Sequence, residues 1–176
     1  MDRPSQRRRV AIIIAGRQVA VADLRDDVAP KTAAAIWDAL PIQGSLRHCT
    51  SSGECVFFGV DALLSIDTRP NATASSTLSS THALVHGPPL IEPENLTCYV
   101  SQGDIVLTPD KACIMVYGRR CVVRAYVGEL PSNAFAMIRD PDELDEFELV
   151  AKQTLFEGAK SIELVRWTVT DERGRV

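Results

Sequence analysis

Six residues of this chain carry side chains suited to holding a ligand or moving a proton: Arg47, His48, Glu54, Tyr117, Asn133 and Phe135. Arg47 has the planar fork of donors that grips a carboxylate by a bidentate pair, and His48 or Glu54 is the type of group that transfers a proton. Tyr117 can present its hydroxyl to a ligand, and Asn133 and Phe135 stand together in Asn133-Ala134-Phe135. Arg47-His48, Ser52-Gly53-Glu54, Gly103-Asp104, Tyr117-Gly118 and Asn133-Ala134-Phe135 each fall at the end or turn of a stretch patterned as β-strand. A barrel would bring such pieces to one rim. None is a complete catalytic motif, so the set defines a pocket before it defines a reaction.

Each residue also has a plainer reading. Strand neighbours point to opposite faces, so Arg47 and His48 cannot both line a lumen without a bulge. A lone His on a half-buried strand is commonly structural. Glu54 beside Gly53 is a turn carboxylate, although a Glu at a barrel mouth also stands where a general base would. Tyr117 can plug the barrel, and Asn133 and Asp104 are turn-formers whose side chains bond their own backbone. Thiol catalysis by Cys49 would need a base, and His48 beside it points to the other face.

The elements that must position these groups follow from periodicity. Segments 10–15 and 18–24 are β-rich and separated by Gly16-Arg17, a hairpin connection. Pro30 introduces a helix over 31–40, with Ala33, Ile36, Trp37 and Leu40 at helical spacing, and Pro41 ends it. Trp37 reads as a core plug. Strands follow at 45–49 and 55–60 around a turn at Ser51-Ser52-Gly53-Glu54. The polar stretch 67–84 has no period and reads as a long surface loop, with His82 and His86 in or near it as lid candidates of low standing. Further strands are predicted at 96–101, 105–108, 112–116, 121–127 and 133–138, with Gly118-Arg119-Arg120 as a turn. A second helix over 141–157 is capped by Asp140, carries Leu144, Phe147, Ala151 and Leu155 on its buried stripe, and stops at Gly158. Segment 161–170 is the last strand.

Length and composition set the frame. The 176 residues suit one domain, 45% hydrophobic content supports a core, and 6% aromatics leave it to Ala, Val, Ile and Leu. Residues 1–9 read as a basic tail around Arg7-Arg8-Arg9, 10–170 as the domain, and 171–176 as a polar tail. A net charge of −4 without a basic stripe argues against nucleic acid as a partner. No segment reaches the roughly 18 apolar residues of a membrane span, and the run after Arg9 is too short for a secretory signal. The five cysteines form no CxxC pair and leave one thiol over in any disulfide framework, so a reducing cytoplasm, no metal and no cofactor are expected. A homo-oligomer is left open.

Two helices and about eight strands, in the order strand, strand, helix, several strands, late helix, final strand, suit a mainly β fold closed as a barrel. The run Ala29-Pro30-Lys31-Thr32-Ala33 to Leu40-Pro41, then Arg47-His48 and Ser52-Gly53-Glu54, resembles the small bacterial cyclophilin-like proteins of unknown function. Gly103-Asp104-Ile105-Val106-Leu107-Thr108-Pro109, Tyr117-Gly118 and Asn133 through Ile138 are similar to the later signatures of that family. The resemblance implies a cyclophilin-like closed β-barrel. It departs at Ser51, where the family has a Trp, and the Phe-His-Arg and Gln-Gly-Gly elements of true prolyl isomerases are absent.

The expected function is therefore binding of a small carboxylate or cyclic amide at the rim, with its transformation left open. Arg47, Tyr117, Asn133 and Phe135 are the ligand-binding candidates, and Glu54 and His48 the catalytic ones. The alternative is a peptide-binding module related to prolyl isomerases, with weak or no isomerase activity.

Overall fold

Alternating apolar residues in the strand segments close into a barrel in the computed structural model, which describes residues 7–60, 91–125 and 128–168. The elements are β1 (Arg9–Ile14), β2 (Arg17–Leu24), α1 (Pro30–Ala39), β3 (Ile42–His48), β4 (Gly53–Gly59), β5 (Leu96–Thr97) and β6 (Asp104–Leu107). They continue with β7 (Ala112–Cys121), β8 (Arg124–Ala125), β9 (Gly128–Glu129), β10 (Ser132–Ile138), α2 (Pro141–Glu157) and β11 (Lys160–Arg166). Eight strands run antiparallel in the order β2-β1-β11-β3-β4-β7-β6-β10, and a β2–β10 pairing closes the ring. Closure leaves no ring strand with an unpaired edge.

The lumen is filled rather than hollow. Ile12, Leu46, Phe58, Met115, Phe135 and Leu164 are among its fully buried side chains. Between Val10, Leu24, Ile36, Ile105, Phe135 and Leu164 a void of only about 10 Å³ remains, apolar and at the lower limit for one water. A second apolar layer lies outside the sheet, where Cys49, Cys55, Val106, Ile114, Val116, Cys121, Val123, Leu130 and Ala134 pack together. Residues of β4 and β7 alternate between the two layers, Val56 and Phe58 inward, Cys55 and Phe57 outward.

Chain direction gives the barrel two distinct ends. α1 joins the end of β2 to the start of β3 and places Thr32, Ala33 and Ile36 inward at one end. α2 joins the end of β10 to the start of β11 and inserts Phe147, Val150 and Ala151 at the other. The two helices are caps on opposite ends.

Several sequence expectations shift by local physics. The first hairpin turns on Ala15-Gly16, both at positive φ (51° and 79°), and Arg17 already pairs with Ile14. A two-residue hairpin loop of this kind needs positive φ at both central positions, which Arg17 does not supply. Gly118-Arg119-Arg120 is not a turn but part of β7, bulged against β4. The 96–101 strand reduces to β5 and an isolated Tyr99–Val122 bridge. On α2 the buried stripe is Phe147, Val150, Ala151 and Thr154, whereas Leu155 is 51% exposed, because position 154 rather than 155 continues the face of Phe147. The domain begins before residue 10: Arg9 opens β1 and pairs with Asp23 at 3.2 Å, and Arg8 pairs with Asp26. Trp37 is half-buried against the core and carries the Arg8 and Arg166 guanidiniums 5.5 and 5.0 Å from its ring. The 67–84 loop, His82, His86 and the 171–176 tail lie outside the described residues.

Among the described residues, no helix is long and apolar enough to cross a membrane.

Candidate functional site

The register of the strands sorts the six candidates. His48 ends β3 and pairs with Val56, so its side chain follows Leu46 inward, while Arg47 pairs with Phe57 and is exposed on the outer wall. Tyr117 follows Cys113 and Met115 inward on β7. His48, Glu54 and Tyr117 thus meet at the end capped by α2. Asn133 is the second residue of β10, beside Leu107, at the end capped by α1. With a rise of about 3.3 Å per residue along β10, Asn133 stands roughly 16 Å from the α2 end. The single rim expected to hold Arg47, Tyr117 and Asn133 together is therefore not formed, because strand parity turns Arg47 out and chain direction sends Asn133 to the far end.

At the α2 end, His48 Nε2 and the Tyr117 hydroxyl are 2.7 Å apart. Tyr117 is 3% exposed, and burial, reinforced by the Glu54 carboxylate, holds its phenol above the ordinary tyrosine range. The hydroxyl therefore keeps its proton at neutral pH. Gln102 Nε2 donates to the Tyr117 carbonyl and to Glu148 Oε2, each at 3.0 Å, tying the strand to α2. The other ring nitrogen, His48 Nδ1, is the one buried side-chain nitrogen or oxygen without a hydrogen-bond partner among the described residues. Such a group costs about 1–3 kcal/mol when left unmet.

Glu54 has a structural task. The β4–β7 register jumps from Cys55–Val116 to Gly53–Cys121, leaving a bulge on β7 that the Glu54 carboxylate closes by accepting the Arg120 backbone N–H at 2.9 Å. Gly118 makes room for it: a Cβ there would lie 2.4 Å from Glu54 Oε2 and 2.6 Å from Glu54 Cβ. Gly53 sits at φ +106°, with the Arg120 carbonyl where a Cβ would be, at 2.2 Å.

Asn133 is a bracket at the α1 end. Its Oδ1 accepts the Glu94 N–H at 3.1 Å, and its Nδ2 donates to Thr32 Oγ1 at 3.1 Å and to the Glu92 carbonyl at 3.3 Å. That holds Glu94 over the start of α1, where its carboxylate accepts the Lys31 and Thr32 N–H groups and the Thr32 hydroxyl. Phe135, at 2% exposure, fills the lumen at mid-height.

Sequence reasoning missed a cluster of three thiols on the outer wall. Cys49 and Cys55 are placed symmetrically about the 50–54 turn, and the hairpin sets them opposite each other, with Cys49 N–H donating to the Cys55 carbonyl at 3.0 Å. The Cys55 thiol also meets that of Cys121. Hydrogen bonds from Cys55 and from the Ser51 and Ser52 hydroxyls hold the Cys49 thiol well below its ordinary value, whereas Cys55, sharing its proton with both neighbours and fully buried, is held above it. The symmetry about the turn was the available signal. Among the described residues no group of three His, Cys, Asp or Glu side chains is arranged to hold a metal ion.

A family model described as "Protein of unknown function (DUF3830)" matches residues 12–166. The chain belongs to the DUF3830 family. The match runs from within β1 to the end of β11 and so spans both helices. The structure of McbB in complex with tryptophan is similar, with a TM-score of 0.60 and 15% identity over 89% of this chain. This chain spans 44% of that one. The solution structure of the hypothetical protein AF2241 from Archaeoglobus fulgidus gives a TM-score of 0.54 and 18% identity over 94% of this chain and all of its own. At these identities the likeness shows a shared fold alone. No curated protein matches the chain.

Proposed function

We propose that the α2 end of the barrel binds a small carboxylate or cyclic amide through an acceptor oxygen placed on His48 Nδ1. The observation that carries this reading is the buried, unpartnered Nδ1. In this reading the Tyr117 hydroxyl is the hydrogen-bond donor to Nε2, which puts the imidazole hydrogen on Nδ1 as a donor without an acceptor. A carboxylate or amide carbonyl supplies that acceptor. Tyr117 is then the residue that fixes the tautomer, Glu54 and Gln102 hold the walls, and Arg47 is left to the outer surface. In this reading the barrel is cyclophilin-like, and five reduced, buried cysteines suit a reducing compartment. The similar McbB structure contains tryptophan, itself a small carboxylate.

A thermal-shift panel of small carboxylates and cyclic amides, run on wild type, His48→Ala and Tyr117→Phe, tests the reading. A ligand at about 100 times its Kd stabilises the native state by about 2.7 kcal/mol. Hits should raise the wild-type Tm, lose their effect in His48→Ala, and weaken in Tyr117→Phe, where Nε2 loses its donor. Hits that stabilise His48→Ala as well as wild type overturn it. Stabilisation by proline-containing peptides alone would favour the peptide-binding alternative.

A further inference from the structure

We propose that Cys49 and Cys55 form an oxidisable dithiol, which a small hydroperoxide converts into a cross-strand disulfide on the outer wall of the barrel. The two residues are directly opposed across the β3–β4 hairpin, as the flanking Arg47–Phe57 and His48–Val56 pairs require. Their backbones are joined by the Cys49 N–H to Cys55 carbonyl bond. A hydrogen-bonded antiparallel pair has Cα atoms about 5.5 Å apart with both side chains on one face, inside the roughly 4.4–6.8 Å range of a disulfide. Both side chains belong to the same outer apolar layer.

The pair is asymmetric in the way such chemistry needs. Cys49 lies at the turn, 8% exposed, with Ser51 Oγ 3.5 Å from its sulfur, whereas Cys55 is fully buried. Hydrogen bonds from Cys55, Ser51 and Ser52 favour the ionised form of the Cys49 thiol, and burial with its thiol neighbours favours the protonated form of Cys55. In the first step the Cys49 thiolate attacks the hydroperoxide. An S–O bond forms, the O–O bond breaks, sulfur is oxidised, and the departing alkoxide or hydroxide takes up, through solvent, the proton that Cys49 released on ionising. In the second step Cys55 sulfur attacks the sulfenic sulfur of Cys49. The S–S bond forms, the S–O bond breaks, and the hydroxyl leaves as water with the Cys55 proton. Two thiols and one hydroperoxide thus give one disulfide, one alcohol or water, and one further water. Because Cys55 holds its proton, the second step is the slower, and the Cys49 sulfenic acid lives long enough to be trapped.

The test uses the reduced full-length chain and hydrogen peroxide, followed by non-reducing digestion and mass spectrometry. Cleavage after Glu54 separates Cys49 from Cys55, so the disulfide leaves two peptides joined until reductant is added. The expected result is that linkage with the loss of two hydrogens, a dimedone adduct on Cys49 when dimedone is present, and Cys49 alkylation about tenfold faster than that of buried Cys113. Cys55→Ser should abolish the linkage and raise the dimedone adduct. The wild-type map stands without the variant should Cys55→Ser not fold. A Cys55–Cys121 linkage in place of Cys49–Cys55, or oxidation spread evenly over Cys49, Cys98 and Cys113, overturns the proposal.

Discussion

Removing the Glu94 carboxylate should destabilise the barrel by uncapping α1 from across the fold. α1 begins at Ala29-Pro30, and Ala29 has no side-chain oxygen to cap it. Glu94, far away in sequence, accepts the Lys31 N–H at 2.8 Å, the Thr32 N–H at 2.9 Å and the Thr32 hydroxyl at 2.9 Å, so the cap is borrowed across the fold. A hydrogen bond to a charged group contributes about 1.5–3 kcal/mol, and a carboxylate at a helix N-terminus adds about 0.3–1 kcal/mol. The three bonds share one part-exposed carboxylate and the Lys31 N–H can turn to water, so one full bond plus the helix contribution is counted, about 2–4 kcal/mol for Glu94→Ala. At this size that is a fall in Tm of about 5–15 °C. Glu94→Gln keeps an acceptor but loses the charge and should recover about half. Urea unfolding followed by circular dichroism reads the change in midpoint at constant slope. Glu92→Gln, which breaks only an exposed pair with Lys31, is the control and should match wild type. If Glu94→Ala unfolds within about 0.5 kcal/mol of wild type, the start of α1 is satisfied by other means and the capping argument fails.

Asn133→Ala removes the bracket that positions Glu94 and should cost about 2–3 kcal/mol in the same urea assay, with Asn133→Ala and Glu94→Ala less than additive because they share one network. Gly118→Ala should lower stability by about 1–3 kcal/mol, and Glu54→Ala should not rescue it, since the 2.6 Å clash with the Glu54 Cβ persists; full rescue would place the bulge elsewhere. Burial holds the Cys113 thiol above its ordinary value of 9.0, so the unfolded chain releases a proton that the native state keeps. Stability from this group is complete below that pH and falls as pH rises, by about 1.4 kcal/mol per unit for each such thiol, and Cys113→Val should flatten the alkaline limb of the urea-midpoint profile.

What the chain determines by itself is what its own neighbours can enforce. Asp140 caps α2 by accepting the Asp142 and Glu143 N–H groups at 2.9 and 3.4 Å, a contact within one turn, and so it was legible. Pro30 and Pro41 fixed the span of α1 to within a residue for the same reason. Alternation located most of the ring strands, though not the run of β7 through Gly118-Arg119-Arg120, and it stated correctly that Arg47 and His48 face opposite ways. It could not state which faces the lumen, because parity is settled only when His48 pairs with Val56 and the ring closes. Only the tertiary structure made Glu94 the cap of α1, divided Tyr117 and Asn133 between opposite ends, and left His48 Nδ1 buried without a partner. Each of these depends on which segments are brought together over long stretches of chain, and a side chain's partner across a barrel leaves no trace in its sequence neighbours.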